Sequence, residues 1–257
     1  MNTAGQADPA PPDFSVIVPA YNEEAELPRS LAALRLAMER AARQGLSGEL
    51  IVVDNNSADR TADVARAAGA RVVFEPVNQI SRARNAGARA AAGQYLVFTD
   101  ADTVVSPELL AAALGNLASG RAAGGGAAMD FDSYPRRGTR TAIRLWNRLA
   151  RWRGLAAGAF VYCLREGFEA VGGFSEKVYA GEEIFFSRSL RLWGRRRGLA
   201  FEVIATHPAV TSSRKLRWHS WPTIILYSLG LAIFPAGLLS RRLCAFWYRR
   251  PEGGSGS

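Results

Sequence analysis

The sequence predicts an α/β fold in which a mostly parallel sheet is covered by helices on both faces. Strand-like and helix-like segments alternate four times within about one hundred residues, which is typical of repeated βαβ units. The strand-like segments are continuous apolar runs, as expected of strands that are buried on both faces. At 257 residues the chain is long enough for one large domain, or for a domain with an appendage.

The first half of the chain contains the clearest elements. Apolar runs predict strands over residues 14–18, 49–53, 70–74 and 95–99. Helical spacing predicts helices over residues 24–44, 61–68 and 80–92, each followed directly by a glycine. Ser106 and Pro107 begin a further helix, because serine is a favoured N-cap and proline suits the first turn.

The pattern becomes weaker in the second half, and no internal repeat is present. Strands are predicted over residues 124–132, 159–164 and 199–204. Short helices are predicted over residues 166–171 and 182–193, and residues 141–152 form an amphipathic segment rich in Arg and Trp. These elements complete the sheet without defining its strand order.

The net charge of +9 is carried almost wholly by arginine, since Lys177 and Lys215 are the only lysines. Most of the excess lies after Arg136, so the charge is uneven along the chain. A basic surface of this kind is compatible with nucleic acid, anionic lipid or a phosphate-bearing substrate.

The cysteines and the two ends of the chain are uninformative about catalysis. Cys163 and Cys244 are the only cysteines, so no disulfide framework is expected and a reducing compartment suits the chain. Residues 1–13 lack the apolar stretch of a secretory signal and are expected to form a disordered lead-in. Residues 251–257 are expected to form a flexible tail.

An uncharged apolar run occupies residues 223–239, with arginine and aromatic residues on both sides. The run is at the short end for a membrane span, which needs roughly 20 residues. Its basic and aromatic flanks favour a helical segment that lies in an anionic leaflet. We therefore expect residues 214–250 to associate with a membrane, and a buried hydrophobic helix is the alternative.

Two aspartates directly follow the fourth predicted strand. Asp100 and Asp102 are two residues apart, and such residues in a strand point to the same side. Two carboxylates at the carboxyl end of a strand would form a hard-oxygen site suited to Mg²⁺ or Mn²⁺. Ligands of open α/β sheets bind at this edge. The aspartates are therefore candidate metal ligands.

Polar clusters also lie near the ends of the other predicted strands. The segment from Pro19 to Glu24 and the segment beginning at Asp54 are candidates for ligand binding, although helix capping alone would also explain them. Arg84, followed by Asn85, lies near the start of a helix, where arginine opposes the helix dipole. This conflict indicates a phosphate or base contact, with a solvated charged turn as the alternative.

Four phrases in this order resemble a family 2 glycosyltransferase: VIVPAYNEE, IVVDNNSADRT, RARNAGARAAAGQYLVFTDADT and GGFSEKVYAGEEIFFSRSL. The resemblance covers residues 14–213. It implies the A-type glycosyltransferase fold, a Rossmann-like single domain with a nucleotide-binding half at 14–105 and an acceptor half at 106–213.

The resemblance implies a nucleotide-sugar site at the carboxyl edge of the sheet. The residues expected to line the base and ribose pocket are Pro19, Tyr21, Glu23 and Asp54. Arg84 and Asn85 are expected to help hold the nucleotide. Asp100, Ala101 and Asp102 match the family's Asp-X-Asp motif, in which Asp102 is the more direct ligand of Mg²⁺ or Mn²⁺ on the diphosphate.

The same resemblance implies a catalytic base near residue 183. Gly181 to Glu183 match the family's Gly-Glu-Asp motif, with Glu183 in place of the final Asp, so both Glu182 and Glu183 stay open as the base. Gly172 to Phe174 would precede the acceptor pocket. A late histidine, His207 or His219, is a candidate further metal ligand, although a lone histidine is more often structural.

These residues predict a metal-dependent, inverting glycosyltransferase that uses a nucleoside-diphosphate sugar and does not bind nucleic acid. The acceptor is expected to be a sugar, a lipid or a lipid-linked intermediate at the cytoplasmic face of a bacterial membrane. One alternative is a nucleotidyltransferase, although the first loop lacks the glycine-rich, basic sequence of such enzymes. A second alternative is a non-enzymatic, basic membrane-surface module.

Overall fold

The computed structural model describes residues 10–134, 138–156, 158–214, 239–240 and 244. Within these residues, eight strands form one sheet in the order β3-β2-β1-β4-β7-β6-β8-β5. The strands are β1 Phe14–Ala20, β2 Gly48–Asp54, β3 Arg71–Phe74, β4 Tyr95–Thr99, β5 Thr103–Val104, β6 Ala122–Phe131, β7 Phe160–Leu164 and β8 Ala200–Thr211. The predicted α/β architecture is confirmed.

Seven helices connect or follow these strands in the described part of the chain. They are α1 Leu27–Arg43, α2 Thr61–Ala67, α3 Ile80–Ala90, α4 Pro107–Ala118, α5 Thr139–Arg153, α6 Arg165–Ala170 and α7 Glu182–Arg195. Ser106 caps α4, since its hydroxyl accepts a hydrogen bond from the backbone N–H of Leu109. None of the described helices is both long and apolar enough to pass through a membrane.

The sheet is buried on both faces, which explains the continuous apolar runs. Val16 and Val18 of β1 pack into one core with α1 and α4, and Ile17 packs into a second core with α3 and α7. Gly87 lets α3 approach the sheet closely, because a Cβ at that position would lie 2.3 Å from a methyl carbon of Ile17. Helices therefore cover both faces, as predicted.

The strand pairing is mixed rather than uniformly parallel. Among the described strands, β1 pairs in parallel with β2 and β4, and β2 with β3. Strand β7 lies antiparallel between β4 and β6, and β6 is parallel to β8. The parallel part corresponds to the first half of the chain, where the sequence pattern was strongest.

Some element bounds differ from the predictions. Strand β8 continues to Thr211 because its end pairs with the short strand β5, which the sequence pattern did not indicate. Helix α1 begins at Leu27 rather than at residue 24, since the preceding residues are held by the neighbouring loop. Residues 1–9 of the lead-in expected at 1–13, the tail at 251–257 and almost all of the expected membrane segment at 214–250 lie outside the described residues.

Candidate active site

The carboxyl ends of β1, β2 and β4 meet at one edge of the sheet. Ala20 pairs with Asp54 at the ends of β1 and β2, and Ile17 pairs with Phe98 of β4. Asp100 follows two residues after Phe98, so it lies at the same edge. Predicted site residues from three separate stretches of sequence therefore come together where ligands of parallel sheets bind.

Two loops at this edge are hydrogen-bonded to each other. The backbone N–H of Glu23 donates to the Thr61 hydroxyl at 2.8 Å, and the Asn22 N–H donates to the Ser57 hydroxyl at 3.0 Å. Asp54 is buried, and its Oδ1 accepts from the Ser57 N–H at 3.0 Å. Asn22 adopts a positive φ of 52°, which asparagine tolerates better than most residues. These bonds fix the loop that carries the predicted nucleotide contacts.

Pro19 and Tyr21 lie on either side of the end of β1. Pro19 is buried within the strand, and Tyr21 is partly exposed just beyond it. The structure thus places Pro19 where its ring packs inside the fold, whereas Tyr21 and Glu23 lie on the loop at the sheet edge. Their predicted contacts with base and ribose stay predictions.

Asp100 and Asp102 do not follow the alternation of a strand. Strand β4 ends at Thr99, and the Thr103 N–H donates to the Asp100 carbonyl at 3.1 Å, so these residues form a turn. The Ala101 carbonyl accepts from the Ser30 hydroxyl at 2.7 Å, which ties the turn to α1. Instead of converging through strand geometry, the two carboxylates contact different arginines.

Arg84 joins the turn after β4 to the start of α7. Its guanidinium donates to Glu182 Oε1 at 2.6 Å, to Asp100 Oδ1 at 3.0 Å and to the Gly158 carbonyl at 2.9 Å. The side chain is only 1% exposed, whereas that of Asp100 is 24% exposed. The guanidinium carbon of Arg84 lies 5.2 Å from the ring centroid of Phe174. Arg84 therefore contacts both Asp100 and Glu182, and Glu182 lies 98 residues from Arg84 in the sequence.

Glu183 lies beside this ion-pair cluster in the first turn of α7. A Cβ at Gly158 would lie 3.4 Å from the Glu183 carboxyl and 3.6 Å from Arg84 Nη2, so the groups are close neighbours. Burial and the negative charge of Glu182 raise the pKa of Glu183 to about 8, although Arg84 opposes the shift. A carboxyl with such a pKa can exchange a proton near neutral pH, as a general base must.

Arg214 forms a second ionic cluster at the same edge. Its Nη2 donates to both carboxylate oxygens of Glu23 at 2.9 Å and lies 3.7 Å from Asp102 Oδ2. Glu26 lies 3.9 Å from its other terminal nitrogen. The Asp102 Oδ1 accepts from the Thr211 hydroxyl at 3.3 Å. Sequence reasoning assigned Arg214 to the membrane segment, because a basic run gives no local signal of an ionic partner 191 residues away.

Asn85 connects α3 to the loop that precedes α7. Its amide nitrogen donates to the Phe174 carbonyl at 2.9 Å and to Glu176 Oε1 at 3.1 Å, and its oxygen accepts from the Phe174 N–H at 2.9 Å. The predicted acceptor segment at Gly172 to Phe174 is thus held by Asn85. In this arrangement the amide supports the loop, and its contact with the nucleotide stays a prediction.

The aspartates have the donor chemistry that Mg²⁺ or Mn²⁺ requires. Within the described ranges, no group of three or more His, Cys, Asp or Glu is arranged to hold a metal ion. Mg²⁺ is commonly held by one or two carboxylates plus the phosphates of a substrate. Asp100 and Asp102 fit a site of that kind, with the remaining ligands supplied by a diphosphate.

The structure places His207 on β8, close to the start of α4. The pKa of Glu108 is lowered by a backbone hydrogen bond, by Arg40 and by His207. His207 is therefore near Glu108, and it does not join a three-residue metal cluster within the described part of the chain. His219 lies outside the described residues.

Comparison with known sequences identifies related proteins. The sequence model of glycosyl transferase family 2 matches residues 15–172. Glycosyltransferase AglE of Haloferax volcanii is 26% identical over 216 residues, which cover 77% of this chain and 67% of AglE. The uncharacterized glycosyltransferase EpsJ of Bacillus subtilis is 37% identical over 101 residues, which cover 37% of this chain and 27% of EpsJ. The chain thus matches only about a quarter of the length of EpsJ.

Solved structures share the fold at low sequence identity. TarS residues 1–349 from S. aureus gives a TM-score of 0.61 at 18% identity, covering 80% of this chain and 62% of TarS 1–349. The mannosyltransferase PcManGT of Pyrobaculum calidifontis, in complex with GDP-Man and Mn²⁺, gives 0.58 at 19% identity, covering 96% and 76% of the two chains.

Glucosyl-3-phosphoglycerate synthase of Mycobacterium tuberculosis, in complex with Mn²⁺, UDP and glucosyl-3-phosphoglycerate, is a further structural relative. It gives a TM-score of 0.57 at 22% identity, covering 92% of this chain and 78% of the synthase. These likenesses establish a shared fold. Because the family model matches more than half of the residues in an uninterrupted stretch, the chain belongs to glycosyl transferase family 2.

Proposed function

We propose that this protein transfers a sugar, with inversion, from a nucleoside-diphosphate sugar to an acceptor hydroxyl. The observation that carries the proposal is the meeting of Asp100, Glu182 and Arg84 at the carboxyl edge of the sheet, with Glu183 beside them. This arrangement supports the proposal, because direct displacement at an anomeric carbon requires a base close to the group that holds the departing diphosphate.

The donor is proposed to bind across the loops that follow β1 and β2. Tyr21 and Glu23 lie on the loop after β1, and Asp54 ends β2; the two loops are fixed to each other by hydrogen bonds, and Asp54 accepts from the Ser57 N–H. The solved structures of PcManGT and glucosyl-3-phosphoglycerate synthase are complexes with GDP-Man and with UDP, respectively. A nucleoside-diphosphate donor is therefore the substrate class that the fold and the loop geometry favour.

Asp102 and Asp100 are the residues that would hold a divalent cation. When bound, Mg²⁺ or Mn²⁺ would neutralise the negative charge that develops on the departing diphosphate. Two relatives contain Mn²⁺ in their complexes, which supports a divalent metal without choosing between the two ions. The side chain of Arg84, which is 1% exposed, holds Asp100 in position through their ion pair.

Glu183 is the better candidate for the base. Glu182 is buried, and its carboxylate is committed to Arg84 at 2.6 Å, so removing it from that pair would leave a buried guanidinium without its shortest contact. Glu183 has a pKa raised to about 8 and lies at the edge of the cluster. In the proposed reaction it accepts the proton of the acceptor hydroxyl as the oxygen attacks the anomeric carbon.

The acceptor is proposed to be a lipid or a lipid-linked intermediate at the cytoplasmic face of a cell membrane. The support is the sequence of residues 214–250, where an apolar run is bracketed by arginine and aromatic residues. Finding the whole protein in the soluble fraction of cells, with none in the membrane fraction, would contradict this part of the proposal.

The test is a panel of nucleoside-diphosphate sugars, assayed with and without Mn²⁺ for binding by calorimetry and for release of the nucleoside diphosphate. One donor should bind only with the metal, and Asp102→Asn should abolish that binding. Glu183→Gln should keep donor binding but lower turnover by about 10²–10⁴-fold, the usual contribution of a general base. Glu39→Gln, a charge change on the exposed face of α1, is the matched control.

Three outcomes would contradict the proposal. Release of pyrophosphate instead of a nucleoside diphosphate would indicate a nucleotidyltransferase. Full activity of Asp102→Asn would remove the metal site from the mechanism. Failure of every donor to bind, with the purified chain folded, would favour a non-enzymatic surface module.

A further inference from the structure

Helix α5 carries an exposed apolar stripe that no described part of the core uses. Leu145, Leu149 and Trp152 are 67%, 42% and 75% exposed, respectively. Their spacing of four and three residues places them on one face of the helix. Isolated exposed apolar residues are ordinary, but three large ones aligned on one helix face indicate a binding surface.

The opposite face of α5 already supplies the contacts that hold it on the domain. Asn147 accepts from the Met129 N–H at 3.0 Å and donates to the Met129 carbonyl at 2.8 Å, which fixes α5 to β6. Ala150 is buried on this inner side. The helix is therefore attached to the sheet through its inner face, and the outer stripe is left for a partner.

The charge of α5 identifies the kind of partner. The helix contains five arginines and no acidic residue: Arg140, Arg144, Arg148, Arg151 and Arg153. Arg148 and Arg144 flank the apolar stripe at helical spacing, and the guanidinium of Arg153 lies 4.7 Å above the Trp152 ring. Leucine and tryptophan on one face with arginine beside them is the composition of helices that lie in the plane of an anionic bilayer.

We propose that α5 binds an anionic lipid surface, with Leu145, Leu149 and Trp152 inserted at the level of the headgroups and the arginines paired with lipid phosphates. This surface is formed by the described catalytic domain itself and is separate from the membrane segment proposed at residues 214–250. An acidic protein could also pair with the arginines, but the alternation of apolar and basic residues along one helix suits a lipid interface better.

The position of α5 connects this surface to the candidate active site. Helix α5 ends at Arg153 with Gly154 as its C-cap, and shortly after it in the sequence the Gly158 carbonyl accepts from Arg84 at 2.9 Å. Arg191 of α7 donates a hydrogen bond to the Arg153 carbonyl, so α5 also contacts the helix that begins with Glu182 and Glu183. Helix α5 is therefore joined to α7 and to the segment that contacts Arg84, and any link from a membrane at α5 to a lipid-linked acceptor rests on the proposed function.

The experiment places an environment-sensitive fluorophore on the surface of the full-length chain. Cys163 and Cys244 are buried, so Leu145→Cys offers an exposed thiol for labelling, and Leu36→Cys on the exposed side of α1 is the matched control. With vesicles of phosphatidylcholine and phosphatidylglycerol, the label at 145 should become brighter and blue-shifted and should be quenched by lipids that carry a spin label. The label at 36 should not respond.

Binding measurements on unlabelled variants give the size of the effect. Replacing Leu145 and Trp152 together with serine should weaken sedimentation with the anionic vesicles by about tenfold or more. Arg144→Gln with Arg148→Gln should weaken it by a similar factor, and the effect should shrink at high salt. The control pair is Leu36→Ser with Phe74→Ser, which removes two residues of comparable exposure elsewhere.

Several results would overturn the proposal. The label at 145 could stay unchanged while the protein sediments with vesicles, which would assign all membrane contact to another segment. The label could already be buried without vesicles, which would mean that part of this chain or a second copy covers α5. Failure to bind anionic vesicles at all would also refute it. None of these results depends on the nucleotide-sugar assay, so the two proposals can fail separately.

Discussion

Replacing Arg84 with methionine should destabilise the protein strongly, because Arg84 is the buried cation that pairs with both the buried Glu182 and the partly exposed Asp100. The side chain is 1% exposed and contacts Glu182 at 2.6 Å, Asp100 at 3.0 Å and the Gly158 carbonyl at 2.9 Å. Methionine would leave two carboxylates and a carbonyl without this donor. Removing one partner of a buried ion pair typically costs about 3–5 kcal/mol.

Urea denaturation followed by circular dichroism measures this change directly. For a domain of this size the loss corresponds to a melting temperature lower by roughly 6–20 °C, since each kcal/mol shifts it by about 2–4 °C. The matched control is Arg82→Met, two residues earlier on the same helix. Arg82 is 40% exposed and pairs with Glu176 at 3.3 Å, so its loss should cost only about 0–1 kcal/mol.

A second variant separates the ion pair from the packing of the side chain. In the Arg84→Met background, Glu182→Gln should recover part of the lost stability, because it removes the buried charge left behind. If Arg84→Met and Arg82→Met destabilise the protein equally, or if Glu182→Gln gives no recovery, Arg84 is not the electrostatic centre of the site.

Three further predictions concern the groups around this centre. The pKa of the Glu183 carboxyl is about 8 in the fold and 4.5 ordinarily, so its proton stabilises the folded state below pH 4.5. That contribution is lost as the pH rises to 8, at about 1.4 kcal/mol per pH unit, and urea titrations should show this slope in the wild type but not in Glu183→Gln. Arg214→Gln should raise the affinity of the nucleotide-free chain for Mn²⁺ on the order of tenfold, because the guanidinium 3.7 Å from Asp102 repels a cation. Calorimetry measures this affinity, and weaker binding would contradict the argument. Gly173→Ala should cost at least about 1–2 kcal/mol in thermal unfolding, since φ is +70° and the new Cβ would lie 2.8 Å from Asn85 Oδ1; an unchanged melting temperature would refute it.

The predictable part of the fold is the part whose pattern is set by burial on both faces. Strands β1, β2 and β4 each contain a run of apolar residues because alternate residues face different cores, and this leaves a clear signal in the sequence. The strand order in the second half of the chain depends on which strands pair with each other. The antiparallel insertion of β7 between β4 and β6 and the pairing of β8 with β5 are tertiary facts that no local pattern encodes.

The candidate site divides in a similar way. Residues at strand ends, such as Asp54 and Asp100, could be located because the strands themselves could be located. The partners of Arg84 could not, since Glu182 lies 98 residues away and the conflict of Arg84 with the helix dipole indicated only a phosphate or base contact or a solvated turn. The convergence of Asp100 and Asp102 was predicted from strand alternation, but the strand ends at Thr99 and a turn follows, so strand geometry does not set their positions.

The two arginines at the site differ in burial, and this difference suggests different roles. Both neutralise acidic residues that would otherwise repel one another at the sheet edge. Arg84, at 1% exposed, has no route by which an ion could replace it without unpairing Glu182 in the interior. Arg214, at 17% exposed, pairs with Glu23 and faces Asp102 from the outer side. A divalent cation would compete with Arg214 for Asp102, whereas Arg84 would stay in place. Arg84 therefore has a structural role at the site, and Arg214 occupies a position from which a bound cation would displace it.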